Sequence, residues 1–222
     1  RKQNGKGDVQ VARALVRLGE LNTATHDFVK AKVVLQRALT IVNEQQSAAG
    51  SLAAALSLLT SDVLYALGTL TMVQVSGTPE DTPEELQTAE TYFTRAMSLR
   101  EAILGSRHPD FATVANRLGS LYVELDRFAD AEECFRWALS VRCEKLGECS
   151  SRVLQTLRHM VNMYELQERW QDAATAAERG LAILRSSAPP PGSSVQRRSK
   201  HSWEVAAMLL RLGSVQQCAG ER

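Results

Sequence analysis

Cysteine is scarce in this sequence, with four residues in 222 and no C-x-x-C pair. That number is too small for a disulfide scaffold and indicates a reducing compartment. A surplus of charge is also missing, because 26 Lys and Arg residues balance 25 Asp and Glu residues and leave a formal net charge of +1. Since nucleic acids attract proteins through positive fields, nucleic acid is not predicted as a partner.

Catalytic motifs are missing as well. The four histidines lie far apart, and none has a His or Glu four residues away, so a zinc hydrolase would lack its ligand set. The Gly-rich phosphate-binding patterns and the G-x-S-x-G turn of many hydrolases do not occur. The sequence therefore predicts a protein that is not an enzyme, with no catalytic residue, no metal site and no cofactor.

Proline occurs at only six positions, grouped in three places, and the long stretches 1–78 and 110–188 contain none. Because proline breaks helix interiors, this distribution indicates helices punctuated at a few joints. Between the joints, apolar residues recur at three- and four-residue spacing, as at Leu15, Leu18 and Leu21. No segment shows the sustained alternation of apolar and polar residues that strands show. The predicted fold class is all-α.

What the sequence does contain is an internal repeat. The pattern around Gly119 returns 42 residues later and, with insertions, occurs near Gly19, Gly68 and Gly213. Small residues at these positions let the two helices of a hairpin approach closely, and larger apolar residues fill the gaps beside them. One hairpin cannot bury its apolar face alone, so neighbouring hairpins are expected to stack into a solenoid.

The repeated positions resemble those of the tetratricopeptide repeat over nearly the whole chain. The 42-residue period is longer than the usual 34 and, with the turn LGSRHPD at Leu104–Asp110, resembles the kinesin light chain type. The resemblance implies a right-handed α-solenoid of stacked antiparallel helix hairpins, with about four and a half repeats. The predicted units lie at about 8–45, 52–104, 110–146 and 152–185.

Four segments fall outside this pattern. Residues 1–7 are predicted to be a basic flexible lead-in, and residues 76–84 are an acidic insertion. Residues 186–200 are predicted to be a Pro/Ser-rich loop, followed by the first helix of a further or capping unit at 201–222.

The segment 48–75 carries one formal charge, Asp62, and is long enough to be tested as a membrane span. Several Ser and Thr residues, the absence of an aromatic belt and the repeat register of Leu67 argue against a span. We interpret the segment as a buried repeat helix or an interface helix, with membrane contact as the alternative.

In stacked hairpins, the first helices line an inner surface whose side chains are free of packing. Counted from the repeat glycine, the inward positions fall six before it, three before it and one after it. The candidate partner-binding residues at these positions are Arg13, Thr113, Asn116, Ser120, Gln155, Arg158 and Asn162. Such side chains suit hydrogen bonds to the main chain of an extended peptide and the pairing of arginine with carboxylates.

The resemblance to kinesin light chains implies a specific role for Asn116. In that family, an Asn-Asn pair in the first helices clamps cargo peptides that carry an aromatic residue beside acidic ones. Asn116 matches the first Asn, and Arg117 replaces the second. The corresponding pairs in the next units are Arg158 with His159 and Leu210 with Arg211. A basic inner wall would still favour acidic peptides.

Two functions stay open at this point. The favoured one is a non-catalytic scaffold that binds partner proteins or peptides on its concave face. The alternative is a permanent structural or assembly subunit of a larger cytoskeletal or organellar complex, such as a mitochondrial or membrane-associated one. The expected location is the cytoplasm, including the cytoskeleton. Because the chain starts at Arg1 without methionine, a mitochondrial location after loss of a targeting segment is the alternative.

Overall fold

The computed structural model describes residues 4–46, 52–75 and 83–186, with 211, 213–215 and 217 of a last helical segment. These residues are almost entirely helical and contain no strand. The eight helices within 4–186 are α1 (Asn4–Ala24), α2 (Phe28–Gln46), α3 (Ala53–Val75), α4 (Pro83–Leu104), α5 (Pro109–Glu124), α6 (Phe128–Leu146), α7 (Ser151–Leu166) and α8 (Trp170–Ser186). We call α1, α3, α5 and α7 the A helices and α2, α4, α6 and α8 the B helices.

The chain forms two compact units, which divide between Leu121 and Tyr122 near the end of α5. In the first unit, α1 packs on α2 and α3 packs on α4, and the two hairpins join through contacts of α3 with α1 and α2. In the second unit, α6 packs on α7 and α7 packs on α8. The predicted all-α fold of helix hairpins packed in series is confirmed.

The turn from an A helix to its B helix has the same geometry in three repeats. A residue with positive φ stands at each of these turns: His26 at 60°, Asp126 at 56° and Glu168 at 56°. In the second unit, the next residue folds back over a tyrosine: the Arg127 guanidinium lies 4.2 Å from the ring centroid of Tyr122, and that of Arg169 lies 4.5 Å from Tyr164. These cation–π contacts hold each turn of the second unit against the end of the helix that precedes it.

The turn from one hairpin to the next keeps its shape although its sequence changes. Gly105 and Gly147 both adopt a φ near 80°, the left-handed region that glycine enters without steric cost. His108 Nδ1 then accepts a hydrogen bond of 3.1 Å from the backbone N–H two residues on, and Ser150 Oγ accepts the equivalent bond at 3.3 Å. Ser150 therefore caps α7 as His108 caps α5, without a His-Pro-Asp sequence.

The repeat glycines of the first unit allow close helix packing, as the sequence indicates. A Cβ added to Gly68 would lie 2.8 Å from Cε1 of Phe93 on α4, closer than carbon atoms can approach. A Cβ on Gly19 would collide in the same way with the side chain of Leu35 on α2. The B helix thus inserts a large apolar side chain into the space that the missing side chain leaves.

The second unit fills this space in the opposite way. Val161 of α7 stands at the glycine position, and Ala177 of α8 stands where α2 and α4 have Leu35 and Phe93. Both residues are fully buried in the core of that unit. A larger residue on the A helix is therefore matched by a smaller one on the B helix.

Two buried arginines tie a B helix to the A helix that follows it. Arg100 is 7% exposed and donates a 2.8 Å hydrogen bond to the carbonyl of Asp110 in the first turn of α5. Arg142 is 1% exposed and donates to the carbonyl of Arg152 at 2.9 Å and to Thr156 Oγ1 at 2.6 Å. These charge-assisted bonds stabilise two of the junctions between consecutive hairpins.

Helix α3 is a core helix, although by length and composition alone it could cross a membrane. It has contacts with α1, α2 and α4, and 56% of its most apolar window is buried inside the protein. Its one charged residue, Asp62, is half exposed and pairs with Arg100 at 2.7 Å. These contacts match the interpretation of 48–75 as a buried repeat helix.

The structure differs from the sequence prediction at the amino terminus. Helix α1 already begins at Asn4, so the expected flexible lead-in 1–7 is partly helical. Most of the acidic insertion and nearly all of the Pro/Ser-rich loop lie outside the described residues. Helix α4 starts at Pro83 with Glu84 and Glu85 in its first turn, an arrangement that suits both the fixed φ of proline and the helix dipole.

Glu132 of α6 is the centre of an ionic cluster in the second unit. Its carboxylate accepts hydrogen bonds from Arg169 Nη1 at 2.7 Å and from the Tyr164 hydroxyl at 3.0 Å, and it also pairs with Arg136. Desolvation raises the pKa of Glu132, but the bonds from Arg169 and Tyr164 and the nearby guanidinium charges together lower it below its ordinary 4.5. The cluster joins α6 to the turn between α7 and α8.

We expect the variant Glu132→Gln to reduce the sensitivity of the second unit to acid. A lowered folded-state pKa means that Glu132 contributes stability above pH 4.5, and that this contribution is lost as pH falls through the folded pKa. The difference in unfolding free energy between wild type and variant should therefore shrink from pH 7 to pH 3 in urea titrations. Glu133→Gln, at an exposed neighbouring position, is the control. A difference that does not change with pH would contradict this role.

Candidate partner-binding surface

Helix α7 carries the most accessible set of predicted binding residues. Gln155, Arg158 and Asn162 follow one another at three- and four-residue spacing and lie on one side of the helix; we call them the α7 polar face. Arg158 and Asn162 are exposed and Gln155 is half buried. Within the part of the chain that the structure describes, the Arg158 guanidinium has neither an ion pair nor a side-chain hydrogen bond. A charged group at the centre of this face is therefore available to a ligand.

The last helical segment adds a second cation beside this face. Arg211 Nη2 donates to Asn162 Oδ1 at 3.0 Å and to Glu165 Oε2 at 2.8 Å. In the last unit, Arg211 stands at the second position of the Asn-Asn pair. In this structure it forms an ion pair with Glu165 and donates a hydrogen bond to the amide oxygen of Asn162.

The α5 residues are less accessible than the sequence suggests. Thr113 and Ser120 are half buried, and their hydroxyls donate to backbone carbonyls of α5 itself, at 3.0 and 3.2 Å. Asn116 is 1% exposed. The expectation that Asn116 presents its amide to an open groove is therefore corrected, because a side chain buried to this degree does not reach a ligand in this conformation.

The first unit has inward positions on α3 that the sequence analysis did not single out. Applying the same offsets to Gly68 gives Asp62, Tyr65 and Thr69, all of which are exposed or half buried. Tyr65 Oη accepts a 3.3 Å hydrogen bond from Arg117 Nε of α5, and its ring is in edge contact with Phe93. These three residues could have been identified from the sequence alone by counting the same offsets from Gly68.

Arg117 is half buried, and its hydrogen bond to Tyr65 holds its guanidinium against the first unit. The Arg100 guanidinium also lies 5.5 Å from the Tyr65 ring centroid while it pairs with Asp62. The cations of this patch are thus already engaged by neighbouring side chains, unlike Arg158 on the α7 polar face.

Helix α1 contributes a single predicted residue, Arg13, which is exposed. Val16, three positions before Gly19, is 4% exposed and belongs to the core. His159, at the second position of the Asn-Asn pair in α7, lies with its ring 5.8 Å from that of Phe135 on α6. His159 therefore points toward the neighbouring B helix.

The described thiols are free, and burial makes two of them poor nucleophiles. Burial raises the pKa of Cys134 to about 11. Desolvation also raises the pKa of Cys143, whose sulfur accepts a hydrogen bond from Arg179. Cys149 is exposed and is also free in this structure.

Comparison with known proteins identifies the type of repeat. A tetratricopeptide repeat family model matches residues 84–144, from α4 to α6. A TPR repeat-containing protein of Dictyostelium discoideum is 36% identical over 130 residues, which cover 59% of this chain and 7% of that protein. The chain therefore corresponds to a small part of that relative's length.

Two solved structures share the fold. BtubC (BKLC) from P. vanneervenii has a TM-score of 0.66 and 20% identity, with 98% of this chain and 85% of that chain covered. A kinesin light chain-type protein from Podosopora anserina with nearly identical TPR-like repeats has a TM-score of 0.62 and 15% identity, with 96% and 92% covered. At these identities the likeness shows the fold alone. The predicted resemblance to tetratricopeptide repeats is confirmed, and the structural neighbours include a protein of the kinesin light chain type.

Proposed function

We propose that this chain, a helical repeat of the tetratricopeptide type, is a non-catalytic interaction module that binds acidic peptide segments of partner proteins. Tetratricopeptide repeats in general mediate contacts between proteins, and this fold is a non-catalytic scaffold type. The observation that carries the proposal is the exposed guanidinium of Arg158 at the centre of the α7 polar face. Since the described thiols are free, we propose the cytoplasm as its location.

The chemistry of the α7 polar face favours an extended acidic peptide. An arginine that no acidic side chain neutralises binds a carboxylate through two parallel N–H bonds. On either side of it, Gln155 offers an amide donor and acceptor to the main chain of the peptide, and Asn162, whose oxygen accepts from Arg211, offers its N–H donors. Asn116 is buried and has no direct part in this proposal, whereas Arg13, Thr113 and Ser120 stay predictions.

We expect Arg158→Glu to weaken binding of an acidic peptide at least tenfold, which corresponds to about 1.4 kcal/mol. The probe is a fluorescein-labelled peptide with one Trp between Glu and Asp residues, titrated by fluorescence polarisation. Asn162→Ala should weaken it less, because a neutral amide contributes less than a charged group. Arg95→Glu on α4 makes the same change of charge at an exposed position of a B helix and should leave the affinity within about twofold.

Two results would contradict the proposal. One is equal binding by the wild type and Arg158→Glu when circular dichroism shows the same helicity. The other is equal binding of a peptide in which Lys replaces every Glu and Asp. Loss of binding in both Arg158→Glu and Arg95→Glu would indicate general charge attraction rather than recognition on the α7 polar face.

The alternative function, a permanent subunit in a larger assembly, would need an exposed apolar surface for its partners. Helix α3, which the sequence suggested as an interface helix, is largely buried and does not supply that surface. Exposed apolar side chains lie on α1 instead.

A further inference from the structure

Glu165 is the only acidic residue of helix α7, and it lies on the same side of the helix as the α7 polar face. It follows Arg158 by seven residues, which is about 10 Å along the helix axis. Asn162 lies between them, about 6 Å from Arg158 along the axis. The Glu165 side chain is 21% exposed, and it pairs with Arg211 at 2.8 Å rather than with Arg158. One end of this row therefore has a cation without an acidic partner among the described residues, and the other end has a neutralised cation.

Arg211 uses a single nitrogen atom for both of its side-chain contacts. Its Nη2 donates to Glu165 Oε2 at 2.8 Å and to Asn162 Oδ1 at 3.0 Å. The second bond sets the orientation of the Asn162 amide, because the oxygen faces Arg211 and the N–H donors are left for a peptide carbonyl. The Arg211 side chain is 35% exposed, so its guanidinium is accessible beside Asn162.

The charges of these side chains leave one positive charge in excess, and it belongs to Arg158. A carboxylate at Arg158 pairs with an unopposed guanidinium and accepts two parallel N–H bonds. A second carboxylate beside Asn162 would be attracted by Arg211 and repelled by Glu165. Because these two groups are in contact with each other, the attraction and the repulsion largely cancel.

We propose that Glu165 determines the specificity of the α7 polar face, so that the face takes one acidic residue and a neutral polar residue two positions away in the peptide. This inference rests on the proposed function of the face. An extended peptide advances about 3.3 Å per residue, and residues two positions apart point to the same side at about 6.6 Å. That separation matches the spacing of Arg158 and Asn162 along α7. A second acidic residue in the peptide then adds no affinity, because Glu165 already neutralises Arg211.

The test compares two fluorescein-labelled peptides by fluorescence polarisation with the complete chain. One has the core Glu-Trp-Gln and the other has Glu-Trp-Glu. The wild type should bind both peptides with affinities within about twofold of each other. Glu165→Gln keeps an oxygen acceptor for Arg211 but removes the charge, so Arg211 becomes a second group for a carboxylate. This variant should bind the two-acid peptide at least about tenfold more tightly than the one-acid peptide.

Two further variants separate this effect from general charge attraction. Glu178→Gln removes the same charge at an exposed position of α8 and should leave the ratio of the two affinities unchanged. Arg211→Gln, added to Glu165→Gln, should return the ratio to within about twofold, because the second cation is gone. Circular dichroism checks that all variants keep the helicity of the wild type.

The possible failures are distinguishable. A ratio that stays within about twofold in Glu165→Gln, or one that rises equally in Glu178→Gln, overturns the role of Glu165. If Arg158→Glu still weakens binding of the one-acid peptide in that case, the proposed function stands. If neither peptide binds the wild type, or if Arg158→Glu leaves both affinities unchanged, the proposed function and this inference fail together.

Discussion

Gly68→Val should destabilise the protein by about 1–3 kcal/mol, because the first unit has no space for a side chain at this position. The nearest atoms are those of the Phe93 ring, which is fully buried and cannot turn away from α3 without leaving the core. A branched side chain would separate α3 from α4, the helix pair on which most of the packing of α3 depends. Urea unfolding followed by circular dichroism measures the change.

The second unit indicates how this damage can be repaired. Phe93→Ala alone should cost about 3–5 kcal/mol through the cavity that it leaves. Together with Gly68→Val it copies the pair Val161 and Ala177, so valine should be neutral or stabilising in that background. Gly213→Val is the control, since among the described residues no atom lies within 4 Å of a Cβ placed there. Additive costs of Gly68→Val and Phe93→Ala would show that the two residues do not share one space.

Arg142→Ala should destabilise the junction of α6 and α7 by about 2–4 kcal/mol. It removes the donor for Thr156 in a buried position and also the packing of the long arginine stem. The same unfolding experiment applies, read together with the melting temperature.

A double change should restore most of this loss. The junction of α2 and α3 carries Val42 and Val63 at the positions of Arg142 and Thr156, and both valines are fully buried. Arg142→Val with Thr156→Val therefore replaces a polar pair by an apolar pair that this fold already accepts, and such exchanges are often neutral. A double variant as unstable as Arg142→Ala would show that the arginine is needed for more than local packing.

The helices and their register could be predicted from the spacing of small and apolar residues, because helix pairing depends on local pattern. Accessibility could not be predicted in the same way. Val16, Asn116 and Arg158 occupy one register position, yet the first two are buried and the third is exposed. Their burial depends on how closely the neighbouring helices approach, and that distance is set by side chains far away in the sequence.

Other features were readable but required comparison between repeats. The exchange of Gly68 and Phe93 for Val161 and Ala177 is visible once the hairpins are aligned, because each pair keeps its place in the repeat. The cap at Ser150 was harder to predict, since serine and histidine share little except an acceptor atom. The proposal for the α7 polar face rests on the charge and the exposure of Arg158. The sequence shows the charge, but the exposure could be seen only in the structure.

The burial of α3 has a consequence for how the chain folds while it is being synthesised. This helix leaves the ribosome before α4, its main partner, and the 29 residues from 76 to 104 take about 1–6 s to follow at typical elongation rates. During that interval, α1 and α2 already exist and can shield one side of α3, while the side that receives Phe93 stays uncovered. A nascent segment of this hydrophobicity resembles those that chaperones and membrane-insertion machinery bind, so prompt arrival of α4 favours folding over mistargeting.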